Sequence, residues 1–201
     1  KENRYNDTRV DANGRIFAST VSKLYGTADY SPDMLGDFYM VDNDGTVKTI
    51  SAGINQYNAI VWNGANTEMF VIDTYNAKLL SFDYDSKRGP ISGAKERLDF
   101  SEIGMPDGMS IDSEDSLYVC HWTGKISVWD RSLHLREIIE FPVEQVCCGG
   151  FGGEDGKDYY VATARYAYTE EQLLNRRGAG GLFHTRVRTA GASEHFYTIQ
   201  K

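Results

Sequence analysis

Four residues able to do chemistry recur at a nearly constant distance ahead of an aromatic residue. Asn6 precedes Phe17 by 11 positions, Asn58 precedes Phe70 by 12, Asp107 precedes Tyr118 by 11, and Cys148 precedes Tyr160 by 12. If these are equivalent points of one repeated element, they gather around a common axis. Carboxamide and carboxylate oxygens are hard donors and suit a cation such as Ca²⁺. The same residue types also satisfy backbone groups where strands begin, and the spacing leaves both readings open. The uneven offsets warn of one-residue slips, which would turn a side chain to the other face. At the fourth position Cys147 is the alternative to Cys148.

The elements that must position these residues are short strands. GRIFAST (14–20), EMFVIDT (68–74), SLYVCHW (116–122) and DYYVATA (158–164) are alike, and each follows a turn-forming cluster: DANG, NGANT, DSEDS and GGEDGKD. Each is preceded by an earlier strand (NDTRVDA, NAIVWNG, DGMSIDS, CCGGFGG) and followed by a later one (DFYMVD, KLLSFDYD, KISVWDR, GLFHTRV). The anchors Phe17, Phe70, Tyr118 and Tyr160 stand 53, 48 and 42 residues apart. A unit of strand, turn, strand, loop and strand at that period has the size of a β-propeller blade. A β-sandwich of similar hairpins is the competing architecture. Four copies fill the chain as a four-bladed ring or as part of a larger one. One helix is predicted inside the last unit, where Thr169 and Gln172 form a capping box. Arg176 and Arg177 are expected near its end, and Gly178 is expected to stop it.

Other motifs are weaker. Asp42-Asn43-Asp44-Gly45 begins like an EF-hand loop, but its twelfth position is Gly53, so a hairpin turn is the better reading. The glycine run 149–153 lacks the Lys-Ser/Thr of a P-loop and is read as an inter-strand turn. The histidines form no HExxH and the cysteines no CxxC, which argues against zinc. The vicinal Cys147 and Cys148 are expected as small buried residues. With 21 Lys+Arg against 29 Asp+Glu among 201 residues, the net charge is −8. That balance argues against nucleic acid and anionic membranes as partners. No apolar run approaches the roughly 18 residues a membrane helix needs. Three cysteines, two of them adjacent, make a disulfide scaffold unlikely and favour a reducing, cytoplasmic compartment. No signal-peptide pattern opens the sequence, which starts at Lys1.

RYNDTRVDANGRIFAST, FDYD, PDGMSIDSEDSLYV, CCGGFGG and EEQLL…GAGGLF together resemble the senescence marker protein (regucalcin), gluconolactonase and luciferin-regenerating enzyme family. The resemblance covers nearly the whole chain, in the family's order. It implies a six-bladed propeller with one divalent metal, most simply Ca²⁺, with Zn²⁺, Mg²⁺ and Mn²⁺ as alternatives. It also implies a sugar lactone as small-molecule substrate. Asn58 and Asp107 match two of the family's metal ligands, and Asp107 also matches the residue proposed to activate water. Arg4 and Asn6 match the substrate-binding pair. Some members are instead calcium-binding regulators, which is the alternative function. The family's ligating Glu, in an E-G-P segment, has no counterpart here, and its usual Asn-Gly is Asn58-Ala59. After FAST a carboxylate common in the animal proteins is replaced, with Lys23 nearby. The expectation is therefore an all-β chain forming, as one domain over 1–201, four blades of a six-bladed ring incomplete at its N-terminus.

Overall fold

The computed structural model describes residues 3–197. The chain divides into two compact units, one running to Arg97 and taking in the residues from Glu194 on, the other spanning Leu98–Ser193. Each unit is built from two antiparallel sheets.

In the first unit, sheet 1 has the order β1 (Asn3–Val10), β2 (Ile16–Ser22), β3 (Gly36–Val41), β4 (Val47–Ile54). Sheet 2 follows with β5 (Tyr57–Trp62), β6 (Glu68–Asp73), β7 (Lys78–Asp85) and the short β8 (Gly89–Pro90), while β9 (Lys95–Asp99) also pairs with β7. In the second unit, sheet 3 runs β10 (Pro106–Ile111), β11 (Leu117–His121), β12 (Lys125–Trp129), β13 (Leu135–Glu140). Sheet 4 runs β14 (Val146–Gly152), β15 (Asp158–Thr163), β16 (Leu182–Arg186). The up-and-down order of each sheet is that of a propeller blade. Three of the four add an outer strand to the three legible in the repeat. Those outer strands are mostly exposed, so the period-2 apolar signal that marks a strand is weak in them.

Side-chain turns explain why the repeat punctuates where it does. Asp11 Oδ1 accepts from the backbone N–H groups of Asn13 and Arg15 at 2.9 and 2.8 Å. Asn63 Oδ1 does the same for Thr67 and Glu68, and Asp112 Oδ1 for Glu114 and Ser116. One short polar side chain thus closes the first hairpin of sheets 1, 2 and 3. Asp11 and Arg15 are buried as an ion pair, and the guanidinium crosses to sheet 2, where Nη2 donates to Tyr84 Oη and to the Ser86 carbonyl, both at 2.8 Å. Tyr84 Oη in turn donates to Asp11. Burial, followed by that carboxylate, raises the phenol's pKa.

Alternating apolar residues pack sheet on sheet within each unit. Phe17 and Phe38 meet Trp62 and Tyr57 edge to face at 5.3 and 5.7 Å, and the cluster extends through Met40, Ile60 and Phe82. In the second unit Tyr118, Phe151 and Tyr159 form the same kind of aromatic knot, with centroids 4.8 to 5.2 Å apart. The anchor Tyr160 differs from the other three in being 41% exposed, because it lies on the opposite face of sheet 4 from Tyr159.

Three expectations need correction. The glycine run is strand to Gly152 rather than a turn, and only Gly153, at φ +80°, sits at the bend. A Cβ on Gly149 would lie 2.5 Å from Tyr159 Oη, so that glycine exists to admit a tyrosine. The helix α1 (Glu170–Leu174) has the expected capping box at Thr169 and Gln172. It ends at Asn175, before Arg176, Arg177 and Gly178, so those residues neither complement its dipole nor stop it. Cys148 is exposed and Cys147 half-buried, against the expected burial of both, and all three cysteines are free.

The first strands of adjacent sheets come very close within a unit. A Cβ on Gly108 of β10 would lie 2.6 Å from the Cys147 carbonyl oxygen and 2.7 Å from Cys148 Cα. Both are backbone atoms of β14 and cannot swing away. We predict that Gly108→Ala lowers unfolding free energy by about 1–3 kcal/mol, measured by urea denaturation. His121 is fully buried between the Gly104 carbonyl (2.9 Å) and Ser127 Oγ (2.7 Å), and burial pushes its pKa down to about 4. A histidine kept neutral in the folded state loses stability as the unfolded chain protonates below about pH 6.5. Between pH 6.5 and 4 the expected loss is on the order of 3 kcal/mol. His121→Gln should flatten that part of the stability–pH profile.

Candidate active site

Each sheet interrupts its first strand at the same place. In sheet 1, Asn6 and Asp7 together stand opposite Ser19; in sheet 2, Asn58 and Ala59 stand opposite Ile72. In sheet 3, Asp107 and Gly108 stand opposite Cys120; in sheet 4, Cys147 and Cys148 stand opposite Ala162. A bulge of two residues against one re-aims a side chain, and bulges are common beside active sites. The bulge is common to all four sheets, so the uneven offsets in the sequence come from the hairpins, which differ in length between the paired residues Arg9 and Phe17, Val61 and Phe70, Ser110 and Tyr118, and Gly150 and Tyr160. The register makes Cys147 the counterpart of Asn6, Asn58 and Asp107, so the alternative at the fourth position holds and Cys148 does not.

In the first unit the structure brings Arg4, Asn6 and Asn58 into one hydrogen-bonded chain. Asn6 Nδ2 donates to the Tyr57 carbonyl at 3.0 Å and to Asn58 Oδ1. Asn58 Nδ2 donates to Thr74 Oγ1 at 2.7 Å, so its amide is held at both ends and its oxygen points toward Asn6. Ser19 Oγ secures the base of the site by donating to the Tyr57 carbonyl at 2.7 Å and accepting from the Asp7 N–H. The exposed Arg4 lies at the outer end of the chain, its Nη1 3.4 Å from Asn6 Oδ1 and 3.2 Å from the Tyr5 carbonyl. Ala59 occupies the bulge at φ +32°, a left-handed conformation that costs a residue with a Cβ roughly 1–2 kcal/mol. Lys23 is exposed in the turn after β2.

In the second unit Asp107 is half-buried, and its Oδ2 accepts from the Trp122 indole at 2.8 Å. Cys147 stands beside it. Burial first, and the Asp107 charge second, push the Cys147 thiol up to about 12, so it stays protonated at neutral pH. Its Sγ donates to the Gln145 carbonyl at 3.2 Å. Cys120, wholly buried behind them, is likewise raised well above the ordinary thiol value by burial. Cys120 and Cys147 are therefore poor nucleophiles beside the Asp107 carboxylate.

A divalent cation calls for oxygen donors. The oriented Asn58 carbonyl oxygen and the Asp107 carboxylate fit that demand in kind, though Ca²⁺ takes about six to eight oxygens. Asn58 lies in the first unit and Asp107 in the second. Among the described residues, no group of three or more His, Cys, Asp or Glu is placed to hold a metal. Sequence reasoning missed Trp122, which donates to Asp107, and Gln145 and Tyr166, which contact Trp122. Trp122 closes the SLYVCHW strand and could have been suspected for its polar indole, whereas nothing in the spacing marks Gln145 or Tyr166.

Residues 1–165 match the family model described as the SMP-30/Gluconolactonase/LRE-like region. The Bacillus subtilis protein named "Putative sugar lactone lactonase YvrE" is 32% identical over 94% of this chain and 63% of its own length. Human regucalcin is 33% identical over 98% of this chain and 67% of its own length. The chain thus spans about two thirds of the length of the curated relatives it matches. Among solved structures, a regucalcin of Agrobacterium tumefaciens described as a calcium-binding protein superposes with a TM-score of 0.88 at 25% identity, over 98% of this chain and 65% of that one. A luciferin-regenerating enzyme gives 0.84 at 24% identity, over 96% and 64%, and bears on the fold alone. With the family model spanning most of the sequence and relatives at this identity, the chain belongs to the SMP-30/gluconolactonase/LRE-like family.

Proposed function

We propose that this chain carries the working residues of a metal-dependent sugar-lactone hydrolase of the gluconolactonase type. One observation carries the reading: the same bulge presents Asn6, Asn58 and Asp107, each with its polar head oriented by hydrogen bonds. We take the two units as parts of one propeller domain, four blades of a six-bladed ring, in a cytoplasmic protein. Asn58 and Asp107 would hold one divalent cation, Ca²⁺ before Zn²⁺, Mg²⁺ or Mn²⁺. When bound, such an ion supplies Lewis-acid polarisation of a carbonyl and lowers the pKa of water.

The chain's own residues do the rest. Asp107 accepts the proton of the attacking water, with the Trp122 N–H holding one carboxylate oxygen and so fixing the direction of the other. Arg4 and Asn6 bind hydroxyls of the lactone. The Asn6 amide donates toward Asn58 and Tyr57, which leaves its Oδ1 facing Arg4 and the substrate side. Protonated Cys147 beside Asp107 adds no competing nucleophile.

A second reading is a calcium-binding regulator without catalysis. It is favoured by the description of the A. tumefaciens protein as calcium-binding. The two readings separate on turnover. The hydrolase reading expects gluconolactone hydrolysis that falls to background with EDTA and returns with Ca²⁺. Asp107→Ala is expected to reduce the rate by about 10²- to 10⁴-fold and to abolish tight Ca²⁺ binding in isothermal titration. Unchanged Ca²⁺ affinity in that variant would sink the metal assignment, while Ca²⁺ binding by the unmutated chain without any turnover would select the regulator.

A further inference from the structure

We infer that Trp122 and Tyr166 form an aromatic corner beside Asp107 that takes the C–H face of a sugar-derived ring and so sets the preference for a closed lactone over an open-chain acid. The inference rests on the hydrolase reading above for the identity of the ring, and on geometry within the second unit for the surface itself.

The two rings meet edge to face, with centroids 6.1 Å apart and planes at 68°, and the Trp122 N–H reaches Asp107 Oδ2 at 2.8 Å. An apolar corner thus abuts a carboxylate, which is the combination that recognises a polyhydroxylated ring: an apolar face for its C–H bonds and a few fixed polar groups for its hydroxyls. Tyr166 is 52% exposed, yet its backbone is held in place at both ends. The buried Gln145 side chain accepts from the Tyr166 N–H at 2.7 Å and donates to its carbonyl at 2.9 Å. Gln145 is itself locked, its N–H donating to the Trp122 carbonyl and its carbonyl accepting from Ala164, each at 2.8 Å.

This presentation costs strain. Gln145 (φ +55°) and Ala167 (φ +58°) both adopt left-handed conformations without being glycine. Such conformations cluster where the surrounding structure holds a functional group in place. Core packing does not account for an exposed tyrosine on a strained, doubly hydrogen-bonded segment. A ligand-facing wall does, because an aromatic residue whose backbone is fixed before binding loses less entropy when it stacks.

The test uses the full chain and gluconolactam, a ring that keeps the lactone's shape and resists hydrolysis, with gluconate as the open-chain comparison. Saturation-transfer NMR with irradiation of the aromatic protons should reach the lactam's ring C–H protons. Tyr166→Ala is expected to weaken lactam binding about 5- to 10-fold, and Tyr166→Phe, which keeps the ring, to hold it within about 2-fold. Gluconate should bind more weakly than lactam in the unmutated chain and lose that disadvantage in Tyr166→Ala. Thermal unfolding of the same samples confirms that each variant is folded. Lactam affinity unchanged by Tyr166→Ala, or no saturation of the lactam by the unmutated chain, overturns the inference. Asp107→Asn, read by lactone turnover, judges the hydrolase reading separately, since it leaves both rings in place.

Discussion

The constraint on which the structure depends is the close approach of first strands within a unit, and the bulge that each of them carries there. Strand β10 can lie against β14 only because Gly108 has no side chain to strike the Cys147 carbonyl. The extra residue that breaks the ladder at that level frees one side chain per sheet from the pleat. Asn6, Asn58, Asp107 and Cys147 are those side chains. In an unbroken strand, alternation would have sent each residue to one sheet face or the other, into core or solvent.

The same economy governs the hairpins. A single Asp or Asn side chain at the first turn accepts two backbone N–H groups, so the turn closes with few residues and a fixed register. In sheet 1 this residue, Asp11, is also buried and paired with Arg15, whose guanidinium donates to three acceptors of sheet 2: Tyr84 Oη and the Ser86 and Lys87 carbonyls. A buried ion pair of this kind adds little net stability over an apolar substitute, but breaking one partner leaves an uncompensated charge. Its effect here is to lock the two sheets in one alignment, which in turn holds Asn6 against Tyr57 and Asn58.

The bulge residues of the two units differ in character. The first unit offers neutral amides with an exposed arginine at the rim, suited to hydroxyl groups. The second offers a half-buried carboxylate among thiols kept protonated by burial, with an aromatic corner at its side.

The sequence by itself determined the repeat, the all-β class, the positions of the hairpins, the capped helix and three of the four bulge residues. Each of these is a local matter: alternation, turn chemistry and capping act over a few neighbouring residues and leave a readable pattern. Family resemblance then attached roles to Arg4, Asn6, Asn58 and Asp107. The choice between Cys147 and Cys148 needed the register of β14 against β15, which one inserted residue shifts without changing composition. The outer strands were faint in the sequence because a mostly exposed strand carries little apolar alternation. Only the tertiary structure could bring Trp122 to Asp107 and Gln145 and Tyr166 to Trp122. They come from a strand end, a loop and a strained segment, and meet through single contacts between residues far apart in the chain, so no local pattern of residue types records them.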